Sequence, residues 1–518
     1  VSDAMFESPG ISYATLWPVL LVLGVACAGV VVEAFAPRAA RFNTQVSLAL
    51  AGLVAALAGT VAVGAGSSLG MSTGEGALVI DGPGMFSQGL VLLVSLGGVA
   101  LFAERRLDNG VSAFAGQAAA LPGTSAERTA SQRGLEHTEV YPLMMFAVGG
   151  MMLFCISGDL LMLFVALEVL SLPLYLLTGL ARRRRLLSQE AALKYFLLGA
   201  FSSGIFLYGL ALVYGFAGSM SLAEIGEVAA EDGSSPLLLL GIGLMAVGLL
   251  FKTGAVPFHS WTPDVYQGAP TPVTAWMSAA TKIAAFAAML RLFYVAFGAE
   301  GEIWRPAIGV VAVLTMLLGA SFAIVQTDVK RMLGYSAVAH TGFLLTGLLG
   351  VQTDAFGSTQ AVLFYLTAYG FATLGAFAIV SLVRGPNGEV GSLDRWAGLG
   401  RAHPWVAATF AVFLLSMAGL PLTAGFIGKW GVFAAALGAG QWPVVAVAIG
   451  SSIIAIFFYV RVIMLMFFTD AREDVATVSR PSYATSVVIA LSAVATVLLG
   501  VIPGPVLSLL VDAGGFIG

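Results

Sequence analysis

The sequence predicts an all-α, polytopic membrane fold of about fourteen transmembrane helices, with two inverted five-helix repeats in which helices 7 and 12 are broken. Three observations carry that prediction. Hydrophobic residues make up 58% of the 518 and charged residues only 10%, against about 25% charged in soluble globular chains. Apolar runs that meet the requirement of about 20 residues to cross a hydrocarbon layer follow one another almost from end to end. Two of those runs are interrupted in the middle by proline and glycine beside a single lysine. A β-barrel is excluded, because the runs are continuous and far longer than tilted strands with dyad alternation.

In chain order the spans fall at 14–36, 44–68, 79–103, 139–158, 160–180, 190–216, 236–262, 270–296, 306–326, 332–350, 357–383, 405–436, 442–469 and 484–511. The first lacks the basic leader and small-residue cleavage site of a signal peptide and reads as a span. Only Gly158 and Asp159 separate the fourth from the fifth. Loops after odd-numbered spans hold 17 of the 24 basic residues, and the opposite loops hold only Arg305. The positive-inside rule then places both termini outside the cytoplasm. The opposite loops are acidic, with Glu224, Glu227, Glu231 and Asp232. One span missed or invented would scramble this bias, so the bias supports fourteen.

The longest loop, 104–138, is polar, lies on the cytoplasmic side and is too short for a domain. The run Arg182, Arg183, Arg184, Arg185 reads first as a topology signal and second as a docking patch for an anionic partner or lipid headgroups. The expected organisation is three N-terminal helices with the long loop (1–138), a first repeat (139–296), a second repeat with its loop (297–483) and a C-terminal helix (484–518).

Several functions are excluded. A net charge of −4 leaves no basic surface for nucleic acid. Cys27 and Cys155 sit inside apolar runs and fit no disulfide framework or metal motif. The sequence has no phosphate loop, no dinucleotide fingerprint and no paired-histidine helix for haem. No cofactor-binding or metal-binding residues are therefore expected in this chain, nor redox chemistry of its own.

Ionisable groups inside spans are expensive and mark function. Four of the five lysines, Lys194, Lys252, Lys282 and Lys429, fall in spans, and Lys330 falls in a loop. Glu168 lies near the middle of span five, where it reads as a proton-handling acid rather than a purely structural partner. Lys252 stands beside Gly254 and Pro257, and Lys429 follows Gly419, Pro421 and Gly425. Proline and glycine break both helices, and a lysine beside a broken helix at mid-membrane is how transporters build ion sites. Burial and a nearby carboxylate act in opposite directions on a lysine's proton affinity, so small rearrangements switch it. The breaks lie five spans apart, so the two helices run in opposite directions, which suggests inverted repeats. Lys282 and His340 lie between them and suit a relay, although a lone histidine is often only a packing residue. Lys194 follows Glu190 by four residues, so a local pair at the interface is its bland reading. Arg291, Arg461 and Glu33 lie nearer helix ends and read as anchors.

At this point the segment "FKTGAVPFHSWTPDVYQGAPTPVTAWMSAATKIAAFAAMLR", ending at Arg291, resembles the antiporter-like membrane subunits of respiratory complex I, the proton-pumping NADH–quinone oxidoreductase. "ALEVLSLPLYLLTG" around Glu168, "VKRMLGYSAVAHTGFLL" from Val329 and "GLPLTAGFIGKW" around Lys429 extend the resemblance over most of the chain. The wording, and a lysine rather than a glutamate at 429, is closest to the N type. The resemblance implies that Glu168 tunes Lys252, the central proton store of the input half. It further implies that Lys194 lies near the input side, that Lys282 and His340 relay, and that Lys429 releases the proton outward. It also implies FMN, iron–sulfur clusters and quinone on partner subunits, with neighbouring membrane subunits, lipids and a peripheral NADH-oxidising arm around this chain in a bacterial plasma membrane. A subunit of a multi-chain sodium/proton antiporter is the alternative.

Overall fold

A computed structural model describes residues 10–66, 69–108, 110–116, 124–133, 135–350, 352, 356–386, 388–471 and 476–517. Arg472 and positions 109, 117–123 and 134 of the long loop lie outside them. The chain opens with α1 (Tyr13–Phe35) and α2 (Arg38–Gly64). A hairpin of β1 (Met71–Thr73) and β2 (Leu78–Ile80) then leads into α3 (Gly82–Phe102). The loop after α3 contains α4 (Ser125–Gln132).

The stretch expected as the first repeat holds α5 (Val140–Ile156), α6 (Leu160–Thr178), α7 (Arg185–Ala217), α8 (Leu222–Asp232) in the acidic loop, α9 (Pro236–Thr253), α10 (Trp261–Gly268) and α11 (Thr271–Arg291). A π-helical turn, Leu292–Ala296, ends it. The second is α12 (Gly301–Ile324), α13 (Val329–Leu348), α14 (Ser358–Leu382), β3 (Val383–Gly385), β4 (Gly388–Glu389), the short α15 (Leu399–Ala402), α16 (Pro404–Ala418), α17 (Ala424–Gly438) and α18 (Trp442–Phe468). β5 (Thr477–Val478), α19 (Tyr483–Val501) and α20 (Gly504–Asp512) complete the chain.

Each of the fourteen expected spans is occupied by helix, with the expected breaks falling between α9 and α10 and between α16 and α17. The helices start where the sequence supplies a cap: Asp81, Asp159 and Ser482 accept backbone N–H groups of α3, α6 and α19, and Asp328 accepts two from α13. α11 and α14 form the centre, with every residue of α11 buried. α7, α18 and α19 lie outside and present apolar side chains such as Phe201, Ile453 and Leu491, as helices facing lipid do. Exposed Tyr13, Trp405, Trp442 and Tyr483 stand in the first turns of their helices, the positions of an interfacial aromatic belt.

Basic loops gather on one face. Asp108 accepts Arg183 (3.0 Å) and Arg384 (2.6 Å), Arg182 donates to the carbonyls of Ser112 and Leu135, and Arg184 to that of Glu389. The arginine run thus ties the long loop to the β3–β4 hairpin, which β5 extends to three strands.

Four expectations need correction. Span fourteen is not continuous, because Pro503 lacks the donor needed to carry α19 into α20. Span six begins earlier, at Arg185, so Lys194 lies more than two turns inside its helix. Lys330 is not in a loop. It sits in the first turn of α13, 3% exposed, donating to the Ala269 carbonyl (2.8 Å) and Thr271 Oγ1 (2.9 Å). Arg291 is no interfacial anchor either. It is buried in a bidentate pair with Asp81 at 2.7 and 2.8 Å. Arg461 and Glu33 do anchor: Arg461 donates to the carbonyls of Ile324 and Gln326 at the end of α12, and Glu33 accepts from Arg41, Gln45 and Thr138.

Candidate proton pathway

The two breaks are built alike. α9 ends at Gly254, whose φ of +78° is the left-handed region that glycine alone adopts freely. Its N–H returns to the carbonyls of Leu250 and Phe251. Pro257 follows in the non-helical link, and α10 resumes at Trp261, whose indole N–H donates to the Phe251 carbonyl (2.9 Å). α16 ends at Gly419, with φ +85° and its N–H on Leu415 and Ser416. Pro421 occupies the second link, and α17 starts at Ala424.

A helix end leaves carbonyls without backbone partners and carries partial negative charge. In both breaks a lysine takes one. Lys282 Nζ donates to the Thr253 carbonyl (2.8 Å), to the Ala337 carbonyl (3.1 Å) and to Thr341 Oγ1. Lys429 Nζ donates to the Ala418 carbonyl (2.9 Å) and Ser452 Oγ (2.8 Å). Ser452 lies eleven residues into α18, close to where Lys282 lies in α11, so the repeats place a polar side chain at the same depth against each broken end.

Lys252 is 4% exposed and donates to Ser171 Oγ of α6 at 2.7 Å, with the Tyr195 ring 5.9 Å away. Ser171 lies one turn after Glu168. The carboxylate itself forms no ion pair with Lys252 among the described residues, and its Oε1 is buried without a hydrogen-bond partner. The serine stands where the direct pair was expected.

His340, 2% exposed, is held between Tyr365 (Nδ1, 2.7 Å) and Tyr459 (Nε2, 3.2 Å), and Ser336 joins Tyr459. One turn farther along α13, the Phe343 ring lies 4.6 Å from Lys429 Nζ. Thr341, next to His340, bonds the same Thr253 carbonyl as Lys282 (2.8 Å). Four hydrogen-bonded groups therefore follow one another: Lys252 with Ser171, Lys282 with Thr341, His340 with two tyrosines, and Lys429 with Ser452.

Lys194 stands apart. Its side chain is 43% exposed and pairs with Glu190 at 2.7 Å and with Asp264 at 2.7 Å. Asp264 also accepts Arg331 (2.5 Å). The local pair anticipated from sequence is present, joined by a second carboxylate from α10.

Ser171, Thr341, Ser452, Tyr365 and Tyr459 were not singled out from sequence, since hydroxyls are common in membrane helices. Their only sequence signal is position: Ser171 follows Glu168 by three residues, and Thr341 adjoins His340. Among the described residues no cluster of His, Cys, Asp and Glu forms a metal site.

Known proteins share this sequence and fold. The sequence profile of the NADH:quinone oxidoreductase/Mrp antiporter transmembrane family matches residues 157–455, which include both broken helices. NADH-quinone oxidoreductase subunit N of Nocardioides sp. is 64% identical, over 99% of each chain. A chain of respiratory complex I from Thermus thermophilus with bound aureothin is 34% identical, with a TM-score of 0.77 over 96% of this chain and 100% of that one. A chain of the Mrp complex from Dietzia sp. shares the fold, with a TM-score of 0.80 at 22% identity over 97% of each. With the family profile, the identity over nearly full length and the fold in agreement, the chain belongs to the NADH:quinone oxidoreductase/Mrp antiporter family and, within it, to the subunit N family of NADH-quinone oxidoreductases.

Proposed function

We propose that this chain is a proton-translocating membrane subunit of a NADH–quinone oxidoreductase, moving protons from the cytoplasm to the outside through Glu168, Lys194, Lys252, Lys282, His340 and Lys429. The observation that carries the reading is the pair of half-helix ends, where the Thr253 and Ala418 carbonyls each seat a buried lysine ammonium. Quinone reduction belongs to partner subunits, with FMN and iron–sulfur clusters in the peripheral arm, and this chain contributes no redox site. Both termini lie outside the cytoplasm of a bacterial plasma membrane.

Lys194, exposed beside Asp264, collects protons on the input side. Lys252 stores one. Drawing Glu168 away from Lys252 sends that proton by way of Lys282 and His340 to Lys429, and restoring Glu168 reloads the store. Ser171 makes such motion easy, because it holds the ammonium while the carboxylate one turn away stays free to approach or withdraw. The hydroxyls between the lysines both donate and accept, which suits them to pass protons through intervening water. Moving one charge against about 100 mV costs about 2.3 kcal/mol. At about 1.4 kcal/mol per tenfold change in proton affinity, fewer than two tenfold steps supply it.

The test has two arms. Affinity purification of the tagged chain in mild detergent, followed by mass spectrometry, should recover flavin- and iron–sulfur-containing subunits. Recovery of small membrane subunits alone would favour a cation/proton antiporter. In the assembled enzyme, Lys252→Ala should lower protons moved per NADH oxidised, and an unchanged ratio would refute the relay.

A further inference from the structure

Lys330, Thr271 and Glu389 form a cluster that the pathway above leaves unused. Thr271, the first residue of α11, donates to Glu389 Oε2 at 2.6 Å and accepts from Lys330 Nζ at 2.9 Å, and Glu389 Oε1 lies 3.8 Å from that ammonium. The cluster lines a small polar cavity on the basic face, of about 70 Å³, that opens outward. Glu389 reaches it from the β3–β4 hairpin, so the second repeat contributes a carboxylate to a cavity at the foot of the first.

From that cavity a polar stripe runs into the membrane. Thr271, Thr274, Ser278 and Lys282 follow one another at spacings of three, four and four, the periodicity of one helix face. All four are buried, Thr274 and Ser278 completely, in a helix whose other residues, Thr281 and Arg291 apart, are apolar. The stripe rises about 16 Å from Thr271 to Lys282, at 1.5 Å per residue. Thr274 donates to the Tyr266 carbonyl (3.1 Å) and Ser278 to the Ala275 carbonyl (3.2 Å), so both hydroxyl oxygens keep lone pairs for a second partner. Neighbours at such spacings lie about 5–6 Å apart, a gap that one bridging water spans.

We propose that this stripe is a second cytoplasmic inlet, which delivers protons from Glu389 to Lys282 without passing through Lys252. Glu389 is the proton-collecting group, and Thr271 is the hydroxyl through which the stripe meets the cavity. The charged groups facing Glu389 are Lys330 from α13, with Asp328 two residues before it, and Arg184 from the α6–α7 loop. Asp108 and Arg384 line the same cavity beside Arg182 and Arg183, and Glu104 lines an adjoining cavity that shares Asp108, Thr271, Arg384 and Glu389 with it. Lys330 braces the Thr271–Glu389 hydrogen bond at the mouth of the stripe.

The inference rests on the proton-carrying function proposed above, and the experiment separates the two. In the assembled complex, proton translocation per NADH oxidised is measured for Lys252→Ala, Lys282→Ala and the double substitution Thr274→Val with Ser278→Ala. The expected result is that the double substitution lowers the ratio, but less than Lys282→Ala, which also cuts the route from Lys252. A normal ratio for the double substitution beside an impaired Lys252→Ala overturns the inlet alone. Normal ratios in every variant overturn the proposed function and the inlet with it. Glu389→Gln supplies a second measurement that needs no change inside the membrane. Its pumping rate should fall several-fold more steeply than that of the unsubstituted enzyme as the cytoplasmic-side pH rises, with Glu389→Asp restoring the profile. A merely structural role would lower the rate equally at every pH, and parallel profiles would overturn the assignment of Glu389.

Discussion

The Asp81–Arg291 pair gives a prediction whose size follows from its geometry. Both side chains are shut away from solvent, at 0% and 1% exposure, and two charge-assisted bonds of 2.7 and 2.8 Å join them. Arg291 also donates to the Cys155 carbonyl, and Asp81 accepts the N–H groups of Gly84 and Ile517. The pair thus ties the start of α3, the ends of α5 and α11, and the chain after α20. Arg291→Ala leaves Asp81 buried with two backbone donors in place of a guanidinium. Breaking a buried pair on one side costs about 3–5 kcal/mol, which is two to nearly four decades in a folding equilibrium. The assay is the fraction of complex surviving heating in mild detergent, read by size-exclusion chromatography. Asp81→Asn with Arg291→Gln removes both charges and keeps hydrogen-bonding groups, so the double variant should be more stable than either single variant. The exposed Arg401–Asp470 pair, at 62% and 90%, is the control, and Arg401→Ala should change stability by less than about 0.5 kcal/mol. An Arg291→Ala complex within about 1 kcal/mol of the unsubstituted one would refute the reasoning.

Other outcomes follow from single positions. Gly254→Ala should destabilise by about 1–2 kcal/mol, since an alanine at φ +78° is strained and its Cβ would lie 2.5 Å from Thr262 Oγ1; heat resistance of the assembled complex measures it. Glu104 lies just past the end of α3. Burial pushes its carboxyl up, but hydrogen bonds from Thr485, Ser482 and Arg106 outweigh that and hold it below its ordinary value. Its contribution is therefore complete above the ordinary glutamate value of about 4.3 and is lost as pH falls through the lowered one. The stability gap between the unsubstituted complex and Glu104→Gln should stay constant from neutral pH to that value and shrink below it. Lys429→Gln should assemble normally, because the amide keeps a polar donor on the side of the Ala418 carbonyl and Ser452 without burying a charge, yet it should lower protons moved per NADH oxidised; unchanged pumping would remove Lys429 from the path.

Much of this was readable beforehand because apolar composition makes each exception conspicuous. Lys252, Lys282 and Lys429 stand out in their helices, and Gly254 with Pro257 and Gly419 with Pro421 mark the breaks by local backbone chemistry alone. What could not be read depends on approach across the fold. Asp81 and Arg291 are 210 residues apart, and Lys194 and Asp264 are 70 apart. Lys330 looked like a loop residue because the helix capped by Asp328 begins before the apolar run does. The lysine seats are backbone carbonyls, which every residue has, so no side-chain pattern announces them. Ser171 escaped notice for a related reason: glutamate and lysine in one membrane suggest an ion pair, and a hydroxyl between them is visible only in three dimensions.

That hydroxyl bears on how such a chain moves charge. A lysine locked to a buried carboxylate gives up its proton only by leaving an uncompensated charge behind, and breaking such a pair is strongly unfavourable. Here Lys282 and Lys429 rest on half-helix carbonyls and hydroxyls, and Lys252 rests on a serine. These are dipoles rather than full charges, so they accommodate both ammonium and amine at smaller cost. The broken helices make this possible, because an unbroken helix would have used the Thr253 and Ala418 carbonyls in its own ladder. Glu168, one turn before Ser171, is then the carboxylate whose distance from Lys252 a distant redox event can act on. A second carboxylate fixed beside Lys282 would hold the proton there, and the relay would fail with every lysine still in place.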